Sequence, residues 1–182
     1  MNTRILLGEH TRLTALTSDS DISVMKRWTA HAASWRLLDT PNDGGFAPEY
    51  AERESGERAG HFYFLIYPLS GEQPIGQAAL FGIRWPTGEA WLTVGFGDRE
   101  AWNERYGVDA LKVLLRFAFG ELNLRRVRLG VFDYDARAIR SYEEAGFAIE
   151  GRMLQVASRN AGVKAGVYMG LQRESWELPS AV

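Results

Sequence analysis

The sequence predicts one α/β (α+β) domain: a mixed, mostly antiparallel β-sheet with helices on both of its faces. Three features predict it. The middle of the chain holds three apolar, strand-like runs separated by short Pro/Gly turns, and the second half switches to helical periodicity and back again. The length of 182 residues, with 46% hydrophobic and 24% charged side chains, suffices for one sizeable core but not for two ordinary domains. Residues 1–182 are therefore expected to form a single domain in the order β-α-α-β-β-β-α-β-α-β-β.

Each element has a local reason. Arg12-Leu13-Thr14-Ala15-Leu16 alternates polar and apolar residues, as a half-buried strand does. The polar cluster from Thr17 to Asp21 offers N-caps for a helix through Val24, Met25 and Trp28. Residues 39–60 are turn-rich, and Pro48 can open a short helix that ends near Gly60. The aromatic run His61–Tyr67 is too short for a buried helix and predicts a strand, followed by strands over Ile75–Arg84 and Ala90–Phe96. From Gly107 to Leu122, apolar residues fall at Val108, Leu111, Leu115, Ala118 and Leu122, which is a strong amphipathic helix. Val127–Val131 is a strand. Asp135 caps a helix over Ala136–Ala145 that Gly146 stops, and strands over Phe147–Val156 and Val163–Leu171 follow. The end of the chain, about 173–182, reads as a loose tail.

Composition removes several functions. Lys+Arg number 21 and Asp+Glu 23, for a net charge of −2, so the basic field that nucleic acid requires is absent. No cysteine is present, which excludes disulfides, Cys-based zinc sites and a thiol nucleophile. His10, His31 and His61 have no metal-ligand spacing, and no metal is expected. No run of about 18 apolar residues could span a membrane, and Met1–Gly8 lacks the apolar stretch of a signal peptide. The expectation is a soluble, cytoplasmic protein. Gly95-Phe96-Gly97 follows a strand, but Glu100 stands where a dinucleotide fingerprint needs its third glycine, and the strand belongs to an antiparallel meander.

Two stretches can carry chemistry. Trp102–Ala110 joins a strand to the N-terminus of the strongest helix, where unpaired backbone N–H groups and the helix dipole suit a pyrophosphate. Alone this is a weak signal, since every helix has an N-terminus. In Asp135–Phe147, Ala138, Ile139, Tyr142 and Ala145 share a helical stripe, so Tyr142 reads either as a core aromatic or as an acid at the sheet edge.

Gly97-Asp98 with Trp102-Asn103, Tyr106-Gly107 and Ala110, then Phe119 with Glu121–Val127, then Ala138–Phe147, occur in the order and spacing of a known family. The span from about Gly95 to Arg152 resembles the GNAT superfamily of acetyl-CoA-dependent N-acetyltransferases. More narrowly, it resembles the branch that acetylates ribosomal-protein N-termini and includes spermidine acetyltransferases. Weaker similarity runs from Leu13 to Leu171.

That resemblance implies a sheet splayed in its middle, between the fourth and fifth strands, with the pantetheine arm of acetyl-CoA in the gap beside Val94 and Phe96. It implies that Trp102, Asn103, Glu104, Arg105, Tyr106 and Gly107 cradle the pyrophosphate, that Asp135 lies near the cofactor, and that Tyr142 protonates the departing thiolate. Homodimers are frequent in the family. The chain departs from its pattern at three places: Arg105 stands where the cradle usually has Gly, Asp135 where Asn is common, and Trp91 where many members of this branch have Glu. Glu89, two residues before Trp91 and on the same strand face, is then the candidate general base.

The expected chemistry is direct attack of a neutral amine on the thioester, without an acyl-enzyme. Asp39, Asp43, Glu49, Glu52, Glu54 and Glu57, interleaved with Trp35, Phe46 and Tyr50 and preceded by Trp28, would form a wall attracting a cationic acceptor. A plain solvated helix face explains the same acids. Two function classes stay open: this acetyltransferase, acting on a protein N-terminal α-amine or a small cationic amine, and a non-catalytic module that keeps the fold and senses CoA or a protein partner.

Overall fold

A computed structural model describes residues 6–16, 19–30, 60–97, 104–158 and 162–176. Its elements are β1 (Thr11–Ala15), α1 (Asp19–Ala30), β2 (Phe62–Pro68), β3 (Gly76–Arg84), β4 (Glu89–Phe96), α2 (Glu104–Arg116), a π-helical turn (Phe117–Glu121), β5 (Arg126–Phe132), α3 (Ala136–Glu144), β6 (Ala148–Ser158), β7 (Gly162–Gln172) and a 3₁₀ turn (Arg173–Ser175). The strands form a seven-stranded sheet in the order β1-β2-β3-β4-β5-β7-β6. Every neighbouring pair is antiparallel except β4 and β5. The mixed α/β architecture is as expected, and the short helix expected after Pro48 lies outside the described residues.

Strand alternation builds two cores. On the front, Leu13, Phe64, Ile66, Leu80, Leu92 and Leu129 pack with Leu111, Leu114 and Leu115 of α2. Ala138, Ile139 and Tyr142 of α3 join the same cluster. On the back, Met25 and Trp28 of α1 pack on Tyr63, Leu65 and Ala79. Both faces of β2 and β3 are thereby covered, which is why those strands read as continuous apolar runs rather than alternating ones.

The single helix expected over Gly107–Leu122 divides. It begins at Glu104, and after Arg116 it widens into the π turn, closed by the Leu122 N–H donating to the Phe117 carbonyl at 3.1 Å. The wide turn sends three successive residues, Phe117, Ala118 and Phe119, into the core, where α-helical steps of about 100° would turn one of them outward. Phe117 takes the edges of Phe62 and Phe64 at 5.4 and 5.3 Å between ring centres. At the C-terminal end, residues 173–176 are anchored rather than loose. The Arg173 N–H donates to the Arg125 carbonyl at 2.9 Å, and Trp176 packs on Phe119 at 5.4 Å.

Candidate active site

The seam between β4 and β5 is the feature on which the site is built. The two strands pair in parallel at Glu89↔Arg126, Ala90↔Val127 and Trp91↔Arg128, and at no later position. Their outer edges continue undisturbed: β4 stays paired with β3 as far as Phe96, and β5 with β7 as far as Phe132. Past Trp91 the inner edges therefore part, and the backbone groups of Leu92–Phe96 face no strand on that side. Val94 is half-buried and Phe96 is buried, both in the front core.

Helix α2 starts at this open end. Glu104, Arg105 and Tyr106, expected ahead of the helix, form its first turn together with Gly107, so the backbone N–H groups without intrahelical partners belong to this turn. Trp102 and Asn103 lie outside the described residues. Gly107 sits over Phe96: among the described residues, a methyl added at Gly107 would meet that ring alone, at 3.6 Å and beyond. Arg105 occupies a helical position, and the one non-glycine residue with positive φ among those described is Asn123. The backbone at residue 105 thus makes no demand for glycine. Its side chain is exposed and lines a groove of about 770 Å³ along the outer face of α2, with His10, Lys112 and Glu144.

The second turn of α2 fastens the chain's N-terminal segment. Asp109 is buried, and its carboxylate accepts from the N–H groups of Glu9, His10 and Thr11 at 2.9, 3.0 and 2.7 Å and from the Thr11 hydroxyl at 2.6 Å. Gly8 lies against the same carboxylate, where any Cβ would overlap it. Arg116 adds a hydrogen bond to the Leu7 carbonyl. A buried charge is tolerated here because four donors surround it.

Helix α3 starts beyond the end of β5. Asp135 is its N-cap, with Oδ1 accepting the Ala138 N–H at 3.0 Å; capping alone accounts for an Asp here as well as for an Asn. Tyr142 is half-buried, with its ring edge-on to Phe147 at 5.9 Å. Burial first, and the Asp135 carboxylate second, hold its phenol well above the usual tyrosine range.

Glu89 stands at the joined end of the seam. Its carboxylate meets Arg128 at 3.1 Å and Arg126 at 3.8 Å, and Arg126 also pairs with Glu150. Seven residue steps along the strand, about 23 Å, separate it from Phe96. Trp91, on the same back face, packs edge-on to Tyr168 at 6.1 Å. Arg126 and Arg128 alternate with the front-facing Val127 and Leu129, so they occupy the face opposite α3, which carries Arg137 and Arg140. The sheet thus separates Arg126 and Arg128 from Arg137 and Arg140. The acidic segment 39–57 lies outside the described residues, but Trp28 packs against Gly97, leaving no room there for a Cβ.

A family model described as an acetyltransferase (GNAT) domain matches residues 10–148. The chain belongs to the GNAT acetyltransferase family. Acetyl-CoA is the acyl donor of that family, and the parted strand edges fit it: they leave backbone groups without a strand partner beside the tip of a helix. The chain is 30% identical over 103 residues to the probable N-acetyltransferase YjcK of Bacillus subtilis (strain 168), a match covering 57% of this chain and 56% of that one. It is 29% identical over 73 residues to the SPbeta prophage-derived uncharacterized N-acetyltransferase YokL of the same organism, covering 40% and 41%. The chain thus spans about half the length of these curated relatives. Among solved structures, a spermidine N-acetyltransferase from Vibrio cholerae, in complex with CoA and spermine, superposes with a TM-score of 0.77 at 17% identity, over 91% of this chain and 96% of that one. A dodecameric form from the same organism gives 0.73 at 17% identity, over 90% and 94%. These likenesses carry the GNAT fold.

Asp109 was not singled out from the sequence. It looks like one more polar residue on a helix face, because its partners lie 98 to 100 residues away.

Proposed function

We propose that this protein is an N-acetyltransferase that moves an acetyl group from acetyl-CoA to an amine by direct attack. The acceptor is either a protein N-terminal α-amine or a small cationic amine. The observation that carries this reading is the parting of β4 and β5 past Trp91 and Arg128, with the first turn of α2 at the same end of the seam. The unpaired edge at Val94–Phe96 can hydrogen-bond an extended ligand as a further strand would. One N–H of that edge would polarise the thioester carbonyl and hold the oxyanion. The N–H groups of Glu104–Gly107, with Trp102 and Asn103 before them, would bind the pyrophosphate.

The acceptor nitrogen, having lost its proton to water, attacks the acetyl carbon. The C–N bond forms, the C–S bond breaks, sulfur leaves as thiolate, and the acylated nitrogen releases its surplus proton to solvent. No cysteine exists to carry an acyl group. Tyr142 is the proposed donor to that sulfur. Its raised pKa keeps the phenol protonated at every working pH, so it serves as a hydrogen-bond donor. Full transfer to a thiolate of ordinary pKa, about 8.5, is uphill, and solvent completes it. Glu89, with two guanidinium partners at the far end of the strand, supports a tie between β4 and β5 better than it supports a base. An α-amine, with a pKa near 8, needs no strong base. A cytoplasmic location and a homodimer complete the reading; no described helix is long and apolar enough to cross a membrane.

Calorimetry with acetyl-CoA, followed by turnover with peptide and polyamine acceptors, tests the proposal. Binding with turnover supports it, binding without turnover makes the protein a CoA sensor, and no binding leaves an interaction module. Tyr142→Phe should lower kcat about a hundredfold with the KM for acetyl-CoA unchanged; a wild-type rate would remove the donor role. The phenol also makes stability depend on alkali. Because its folded pKa is raised, its stabilising contribution is complete below the unfolded value of about 10 and is lost as pH rises beyond it. The melting temperature of the wild type should therefore fall more steeply above pH 10 than that of Tyr142→Phe.

A further inference from the structure

On the back of the sheet a shallow apolar trough leads away from the open seam. Arg128 is the last residue of β5 paired with β4, so Gly130, two residues on and on the same face, is the first back-facing residue of the parted stretch. Gly130 faces Tyr168 across the β5–β7 ladder, and Tyr168 faces Gly151 across the β7–β6 ladder. Paired strand residues project to the same side, so the Tyr168 ring stands in a row whose cross-strand neighbours carry no side chain. A methyl added at Gly151 would meet nothing within 4 Å, so the far end of the row is open space. The sides are apolar: Trp91 lies edge-on to Tyr168 at 6.1 Å, and the Tyr168 hydroxyl points to Met153 Sδ at 4.0 Å. Trp91 and Tyr168 are half-buried and Met153 is 53% exposed, so this surface is open to solvent.

An acceptor reaches the acetyl carbon from this side. The front of the seam is filled by Phe96, Leu129 and Val131 of the core, with α2 and α3 packed over them. On the back, the trough begins at the parted edge itself, and no strand intervenes. Tyr168 lies one strand spacing, about 5 Å, from β5, within reach of a single large side chain. The carboxylates of this face, Glu89 and Glu150, are engaged by Arg126 and Arg128. A polyamine's second ammonium would therefore approach two guanidinium groups, whereas an apolar group gains by covering the rings and the thioether. We propose that Tyr168, flanked by Trp91 and Met153, is a specificity-determining surface that receives a bulky apolar side chain on the residue bearing the reacting α-amine. Peptides beginning with such a residue are then acetylated in preference to those beginning with alanine and to polyamines.

This inference rests on the acetyl-transfer reading and deepens it, and the test separates the two. The full chain is assayed with acetyl-CoA and three acceptors: a tripeptide amide beginning with phenylalanine, the same peptide beginning with alanine, and an alkyl diamine. The wild type should prefer the phenylalanine peptide to the alanine peptide by about tenfold in kcat/KM, and either peptide to the diamine. Tyr168→Ala should erase the preference between the peptides, and Tyr168→Phe should keep it, because the ring rather than the hydroxyl makes the surface. Both variants should leave the KM for acetyl-CoA unchanged. Equal wild-type rates on the two peptides, a preference for the diamine, or a phenylalanine preference that survives in Tyr168→Ala each overturn the inference while leaving acetyl transfer standing. Acetylation of none of the three overturns the acetyl-transfer reading itself. If Tyr168→Ala fails to fold, Met153→Glu, at an exposed position, takes its place: a carboxylate beside the ring should cut the preference severalfold, and an unchanged preference overturns the inference.

Discussion

The two ends of the β4–β5 seam are built from the same pair of strands, yet they are held in opposite ways. At the joined end, three paired positions are reinforced by Glu89 between Arg126 and Arg128 and by the Trp91–Tyr168 contact. At the open end no pairing crosses the seam. Order there comes from what flanks it: the ladder to β3, Trp28 on Gly97, Phe96 under Gly107, and the ladder from β5 to β7. A sheet can be opened in its middle at modest cost when each strand keeps its outer ladder. The inner-edge N–H and C=O groups then remain to be satisfied by water or by a ligand.

Helix α2, which starts at the open end, is itself held by Asp109, and cutting that tie should matter most. Asp109→Ala removes one acceptor from four donors, three of which are backbone N–H groups beside β1. Leaving buried donors without partners should destabilise the fold by about 3 kcal/mol or more in urea denaturation. Gly8→Ala, which forces a methyl into the same carboxylate, should be much less harmful when Asp109 is already Ala. Additive costs would show that the two residues do not share a site.

This tie also shows where the sequence stops being legible. Periodicity gave α2 and α3 because each helix's apolar stripe is written locally in Val108, Leu111 and Leu115 or in Ala138, Ile139 and Tyr142. The strand pairs around Pro68–Pro74 and Pro86–Gly88 were legible for the same reason. Asp109 was not, since its meaning depends on a segment about a hundred residues earlier, and no local pattern encodes that. The π turn was hidden as well: Phe117, Ala118 and Phe119 read as a helix until the core's demand for all three is known. The parting of β4 from β5 came only through family resemblance, because β-propensity along Ala90–Phe96 does not say on which edge a strand is paired.

The joined end predicts a smaller effect with a sharper meaning. Glu89→Gln leaves Arg126 and Arg128 facing a neutral amide, and all three side chains are partly exposed. The loss should be about 1 kcal/mol or less, with kcat and its pH profile unchanged for any acetylated amine. A hundredfold fall in kcat, and disappearance of the acidic limb of the pH profile, would instead make Glu89 the base and overturn its assignment as a tie between strands.

Gly107 gives the smallest change in stability and a clean separation of folding from binding. It lies inside α2, where glycine is worse than alanine by about 0.5–1 kcal/mol. Its φ is not in the left-handed range, and an added methyl would meet, among the described residues, Phe96 alone in ordinary contact. Gly107→Ala should therefore raise the midpoint of urea unfolding slightly. If the first turn of α2 receives the pyrophosphate as proposed, the same methyl stands at a surface that phosphate must approach closely, and calorimetry should find weaker acetyl-CoA binding. Stability and affinity moving in opposite directions would mark this turn as shaped for a ligand rather than for the fold. A stabilised variant with unchanged affinity would place the phosphates elsewhere, and the open end would then lose its helix tip while keeping its parted strands.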